Sequence, residues 1–231
     1  MNHVNSKNII LVLLRHNLRL DFSSKERLIT PVFFAAIILL LFSFAIPELD
    51  PIFRMRMLVA ETQLSIFFAL QVALSRAFEP ENQDRVYDHL RVSPISSSAF
   101  ITAKIIYVLI IGGCTMFATL FLAGILQGQD LSILFDPIVS GVSVLCLFGL
   151  AGLGVLLASI TLRSDVQQVI FPLLYFPLSV PVLLSSTETL TSWLETHKWD
   201  DSSRGWMTIL AAFDVIYITL AFLLGADEAD S

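Results

Sequence analysis

Long apolar runs alternate with short polar segments along the chain, and this pattern predicts an all-α protein that crosses a membrane several times. Stretches of about 18 or more apolar residues with few charges are typical of transmembrane helices. The predicted spans cover residues 28–46, 57–78, 99–126, 137–162, 166–184 and 206–224. We therefore predict six transmembrane helices that form a single domain over residues 1–231.

The segment before the first predicted span has a different character. Residues 8–22 begin with an apolar run and continue with leucines and a phenylalanine set among Arg15, His16 and Arg19. The segment is too short and too charged to cross a bilayer, but it suits a helix that lies in the membrane interface. We predict an N-terminal interfacial helix.

The composition supports a membrane protein and argues against nucleic-acid binding. The chain is 55% hydrophobic and 15% charged, whereas soluble domains carry roughly 25% charged residues. The formal net charge is −6, and the sequence contains no basic stripe that would suit a phosphate backbone. Cys114 and Cys146 both lie in apolar runs, so we expect them to be small core residues.

Lysine and arginine predict the orientation, because they concentrate on the cytoplasmic side of membrane proteins. With six spans, ten of the 14 basic residues fall on the side that holds both termini, and four fall on the other side. We therefore expect a multi-pass membrane protein with both termini in the cytoplasm. The longest outer loop would then be residues 185–205.

One charged segment stands between the second and third predicted spans. Residues 76–104 hold eight of the chain's 34 charged residues. Residues 84–92 suit a short helix that Pro94 ends, because proline lacks an N–H and crowds the preceding turn. We interpret this segment as a coupling helix that docks a soluble partner, and the alternative is an ordinary solvated loop. The candidate docking residues are Glu79, Glu81, Asp84, Asp88, Leu90 and Pro94.

The sequence gives no support for an enzyme. It contains no G-x-x-x-x-G-K-[ST] motif to hold nucleotide phosphates and no H-E-x-x-H motif to hold a catalytic zinc ion. We predict no catalytic residue, no metal site and no cofactor bound by this chain. A transporter subunit driven by a separate ATPase, with ATP on that partner, fits the pattern better.

Two acidic residues lie inside predicted spans. Asp214 is near the middle of the sixth span, where an aspartate costs about 2.5–3.5 kcal/mol on insertion scales. We expect it to face protein or water. No lysine or arginine lies at a similar depth, so its carboxyl is either protonated or hydrogen-bonded to Tyr107, Tyr175 or Gln71, and it serves either a structural polar contact or a transport path. Glu61 is closer to the outer end of the second span, and we expect it to reach the membrane interface.

The fifth predicted span contains Pro172, Pro177 and Pro181. Each removes a backbone hydrogen bond, and membrane helices tolerate this only where other groups satisfy the freed carbonyls. We predict a kinked or locally unwound helix whose broken side faces protein or a polar cavity. The kink could be fixed, or it could be a hinge.

Two further patterns have two interpretations each. His197 lies between Trp193 and Trp199, which favours an interfacial anchor, with a haem contact through the imidazole as the alternative. The small residues on the fourth span suit close helix packing, either within the subunit or across a dimer. They are Gly149, Gly152, Gly154 and Ala158.

The charged segment and the proline-rich span resemble the CcmB family, the haem-exporter B subunits of cytochrome c maturation. The similar positions are Phe78, Gln83, Asp84, Asp88, Leu90, Pro94, Ala103, Lys104 and residues 171–184. Arg85 departs from the family pattern, which usually has glycine there. The resemblance implies an ABC permease domain that dimerises, binds two copies of the cytoplasmic ATPase CcmA, and works with CcmC and the haem chaperone CcmE. Haem would then be present in the complex.

Two other functions fit the residues. An ABC permease for a lipid or a drug would need the same partner ATPase. An ion-coupled carrier would use Asp214 and Glu61 and would need no ATPase.

Overall fold

A computed structural model describes residues 6–23, 25–45, 51–77, 97–127, 135–161 and 167–230. The described residues form seven helices and no strand, which confirms the all-α prediction. The helices are α1 (Ser6–Ser23), α2 (Lys25–Ala45), α3 (Pro51–Ala77), α4 (Ser97–Gln127), α5 (Pro137–Thr161), α6 (Gln167–Thr196) and α7 (Asp201–Asp230).

Five of these helices are long and apolar enough to cross a membrane. Their candidate spans are Phe53–Ser75, Ser98–Leu126, Pro137–Thr161, Val169–Thr196 and Asp201–Leu224. The predicted count of six is therefore one more than the described helices support. The first predicted span falls in α2, whose apolar part Ile29–Phe44 measures only about 24 Å at 1.5 Å per residue, against a hydrocarbon core of about 30 Å.

The predicted long outer loop at residues 185–205 is wrong. Helix α6 continues to Thr196, and residues 197–200 connect it to α7. The polar side chains that suggested a loop bond to their own helix instead: Ser185 Oγ donates to Pro181 O at 2.6 Å, and Thr189 Oγ1 donates to Ser185 O at 2.7 Å. No glycine or proline interrupts residues 182–196, so the helix can continue through them to Thr196.

Helix α5 lies at the centre of the bundle, with α7, α6 and α4 packed around it. Its glycines allow the neighbouring helices to approach α5 closely. A Cβ at Gly152 would lie 3.3 Å from the backbone nitrogen of Ile218 on α7, and a Cβ at Gly154 would lie 2.6 Å from Leu74 of α3. The small residues of α5 therefore serve packing within the subunit, which decides between the two alternatives.

Stacked aromatic rings join α3 to α6. The Tyr175 ring lies 5.4 Å from that of Phe67 with an interplanar angle of 7°, and 5.4 Å from that of Phe171 at 12°. Helix α1 is also present, as predicted, and packs on α4 and α2.

Candidate functional site

The predicted coupling segment lies outside the described residues, because residues 78–96 are not among them. This applies to all six candidate docking residues: Glu79, Glu81, Asp84, Asp88, Leu90 and Pro94. Lys104, a basic residue on α4 after this segment, is 1% exposed. Its Nζ lies 5.9 Å from the ring centroid of Phe100 and 5.5 Å from that of Tyr107. Lys104 is thus part of the packed bundle and does not belong to the polar loop.

Asp214 is enclosed where α5, α6 and α7 meet. Its side chain is 4% exposed, which confirms that it faces protein. Its Oδ1 occupies the space that a side chain at Gly149 would need, since a Cβ built there would overlap this oxygen. The same Cβ position is 3.1 Å from the methyl groups of Val182 on α6. Gly149 therefore makes the room in which the carboxyl group sits.

Neither oxygen of Asp214 has a hydrogen-bond partner in the described part of the chain. The predicted hydrogen bond from Tyr107, Tyr175 or Gln71 is therefore wrong. The Tyr175 hydroxyl instead donates to the carbonyl oxygen of Leu150 at 3.3 Å. A buried polar group without a partner costs free energy, so this carboxyl is an unusual feature of the bundle.

A few polar side chains from other helices lie near Asp214. The Cys146 thiol is one turn before Gly149 on α5 and donates to Gln63 Oε1 of α3 across 3.8 Å. The same thiol interacts with Ser186 of α6 through a side-chain hydrogen bond and with the carboxyl of Asp214 electrostatically. Cys146 is buried as predicted, whereas Cys114 is exposed on α4, so the prediction of a core position is wrong for Cys114.

Glu61 is the second buried acid. It is 3% exposed, and its Oε2 has no hydrogen-bond partner among the described residues. That it reaches the membrane interface stays a prediction, but α3 begins at Pro51 rather than near residue 57. Ten residues of helix precede Glu61, which places it about 15 Å from the start of α3.

Side-chain hydrogen bonds join the ends of α3 and α6 and cap the start of α7 at the predicted outer face. Arg56 near the start of α3 forms two hydrogen bonds with Glu195 at the end of α6, at 2.6 and 3.1 Å. Asp200 caps α7 by accepting from the backbone N–H of Ser203 at 2.7 Å. Hydrogen bonds from the Ser203 side chain and backbone lower the pKa of Asp200, so its carboxylate stays charged at neutral pH.

Asp136 joins this face from the start of α5. Its Oδ1 accepts from the backbone N–H groups of Ile138 and Val139 at 2.8 and 3.2 Å, and its Oδ2 accepts from Trp193 Nε1 at 3.2 Å. Desolvation raises the pKa of Asp136, but the hydrogen bond from Trp193 and the two backbone bonds outweigh it, so the pKa lies below its ordinary value.

His197 lies in an aromatic cluster on the same face. It ends α6 in the left-handed region, with φ of 49°, and its N–H donates to Trp193 O at 2.7 Å. The Trp193 ring centroid is 5.9 Å from that of His197 and 5.7 Å from that of Trp199. His197 itself is exposed, so its imidazole is accessible, as both interpretations of this residue require.

The three prolines lie within an unbroken helix, so the prediction that the span is locally unwound is wrong. Pro177 and Pro181 lack the N–H groups that would bond to the carbonyls of Leu173 and Pro177, four residues earlier. Leu173 is 69% exposed and Pro177 is also exposed. Within one chain this side of α6 therefore faces outward, and that it faces protein stays a prediction for the assembled complex.

The comparison with protein families identifies one match. The sequence model of the CcmB protein family matches residues 8–227, which is almost the whole chain and includes every helix described above except the ends of α1 and α7. No individual curated protein matches the chain.

Proposed function

The chain belongs to the CcmB family, and we propose that it is the membrane permease of an ABC transporter for haem export in cytochrome c maturation, driven by ATP hydrolysis on a separate subunit. The family match over residues 8–227 carries the proposal. The sequence supports it with five apolar helices of membrane-spanning length and no P-loop motif of its own.

The partners follow from the same proposal. The cytoplasmic ATPase CcmA would dock on residues 79–94, and CcmC and the haem chaperone CcmE would complete the assembly. The excess of lysine and arginine on one side supports a cytoplasmic position for both termini, and the family match supports a location in the bacterial inner membrane. An ABC permease for another cargo would share the ATPase but would not depend on haem.

Reversing the charges of Asp84 and Asp88 together is expected to reduce recovery of the ATPase severalfold when the complex is purified through this chain. Two acidic side chains on a polar segment between membrane helices have no role in the bilayer, so their loss should affect docking alone. Recovery of CcmA is measured by quantitative immunoblotting of the purified complex, beside membrane insertion of this chain.

Asp227→Lys with Asp230→Lys is the matched control, because it makes the same change in charge near the C-terminus on the same proposed side. Full recovery in the control and reduced recovery in the test variant support docking at the segment. Equal recovery in both would show that residues 84–88 form an ordinary loop.

The outward face of α6 supports a homodimer. Its exposed apolar residues are Val169, Leu173, Phe176, Val180 and Leu184, and the carbonyls freed by Pro177 and Pro181 fall on this face. Lipid tails cannot donate hydrogen bonds, so free backbone carbonyls in a bilayer are placed against protein or water. A second copy of the chain would cover the face and exclude lipid from these carbonyls.

A cysteine at Leu173 is therefore expected to form a disulfide-linked dimer in the membrane under mild oxidation. The background is Cys114→Ala, since Cys114 is exposed. Phe117→Cys on α4 is the control, because Phe117 is 61% exposed but lies away from the α6 face. Dimer formed at residue 173 and absent at 117, on non-reducing gels, supports the interface. Monomer at both positions would show that this face of α6 contacts lipid.

A further inference from the structure

One of the two buried carboxyl groups, that of Asp214, lies between three helices and has no salt-bridge partner among the described residues. Asp214 is 4% exposed and neither of its oxygens has a hydrogen-bond partner in the described residues. An ionised carboxylate in such surroundings is strongly disfavoured unless it is paired or binds a cation. Something must therefore neutralise Asp214 while α7 is packed on α5.

The basic side chains that the structure describes do not neutralise Asp214. Six of them are exposed: Arg15, Arg19, Arg54, Arg56, Lys198 and Arg204. Lys104 is buried, but it lies against the rings of Phe100 and Tyr107. None of these seven residues forms a salt bridge with Asp214 among those found in the described residues.

The packing around Asp214 restricts what can bind there. Its Oδ1 fills the space beside Gly149, and the methyl groups of Val182 close the same gap from α6. A metal cation would need several oxygen ligands around it, and the groups that close this gap are a glycine and a valine. A proton needs no coordination shell and fits the space that the carboxyl already occupies.

None of the titratable groups on the neighbouring helices forms a hydrogen bond with Asp214 in the described residues. Cys146 on α5 lies close enough for Asp214 to act on its thiol electrostatically. The hydroxyls of Tyr175 on α6 and Tyr217 on α7 donate to backbone carbonyls, at Leu150 and Leu178. On α4, which also packs on α7, the corresponding groups are Lys104 and Tyr107, which lie against each other, and the exposed Cys114.

We propose that Asp214 is a proton-binding site of the closed bundle. Its carboxylate takes a proton from water when α7 closes on α5, and the neutral acid is then buried beside Gly149. When α5 and α7 separate and water reaches the group, the proton returns to water. The site makes closure of the two helices depend on protonation, and it does so whichever cargo or ATPase the chain serves.

Infrared spectroscopy of the full-length chain in lipid nanodiscs tests this proposal. Glu61→Gln removes the other acid that is buried in the described part of the chain, so a protonated-carboxyl band that remains and resists hydrogen–deuterium exchange should belong to Asp214. Adding Asp214→Asn should abolish that band. Absence of the band in Glu61→Gln near neutral pH, or its survival in the double variant, would overturn the proposal.

The pH dependence of the unfolding midpoint gives a second test, which does not depend on the infrared band. A folded state that holds a proton which the unfolded chain has lost becomes less stable as the pH rises. The unfolding midpoint of Glu61→Gln should therefore fall on raising the pH, and Asp214→Asn in this background should reduce that fall. If the double variant does not fold, the infrared band of Glu61→Gln decides alone: its presence supports the proposal and its absence rejects it.

Discussion

Alanine in place of Gly149 is expected to lower the free energy of unfolding by about 1–3 kcal/mol, the usual cost of adding a methyl group to a packed core. The added Cβ would overlap Asp214 Oδ1 and would contact Val182 at 3.1 Å. The carboxyl has to leave its buried position or α7 has to move away from α5. Denaturant or thermal unfolding of the purified chain in detergent measures the change.

Two variants make this prediction specific. Gly141→Ala is the control on the same helix, because a Cβ there has nothing within 4 Å, and alanine favours an exposed helix by about 1 kcal/mol over glycine. Asp214→Ala should suppress the defect of Gly149→Ala, since it removes the atom that the new methyl group meets. If the double variant is as unstable as the sum of the two single variants, Asp214 does not occupy the space at Gly149.

The helices themselves could be predicted from the sequence, because long apolar runs have few alternatives in a membrane. The predicted spans from residue 57 onward each correspond to a described helix. The errors lie at helix ends, where side-chain chemistry decides. Serine and threonine made residues 185–196 look like a loop, whereas their hydroxyls bond to the carbonyls of their own helix, as Ser185 and Thr189 show.

The burial of Asp214 could also be predicted, but the way in which it is accommodated could not. A sequence suggests which residue types could donate a hydrogen bond to an acid, and tyrosine and glutamine were the natural candidates. The structure shows a steric arrangement instead, in which Gly149 provides space and no donor. Glycine on a helix predicts close packing in general, but it does not indicate which atom of a distant helix fills the gap.

Contacts between distant segments were missed for a related reason. Arg56 and Glu195 are 139 residues apart, and no local pattern joins two exposed charges on different helices. Asp136 did carry a local signal, because an acid directly before a proline that starts a helix is a typical cap. Its second role, accepting a hydrogen bond from Trp193, depends on the length of α6 and could not be anticipated from the cap alone.

The second large effect concerns the prolines of α6. Replacing Pro177 and Pro181 with alanine restores backbone donors for the carbonyls of Leu173 and Pro177 and removes the ring clashes. A proline in a helix interior costs about 3 kcal/mol through the two effects together. The helix is unbroken already, so the fold should survive and the helix should become stiffer. We expect cytochrome c maturation to fall severalfold while the complex still assembles, because a stiff α6 bends less when the ATPases close. Maturation is measured as holocytochrome by haem absorbance in cells that depend on the variant.

Pro31→Ala is the matched control, because Pro31 lies within α2 and its replacement restores a backbone bond in another helix. The bending is assigned to α6 if maturation falls in the α6 variant but stays normal in the α2 control. The complex must be recovered equally from both variants. Normal maturation in the Pro177→Ala and Pro181→Ala double variant would reject the hinge and leave the prolines a role in packing. If the unaltered chain itself failed to support maturation, the fault would lie with the proposed function rather than with the hinge.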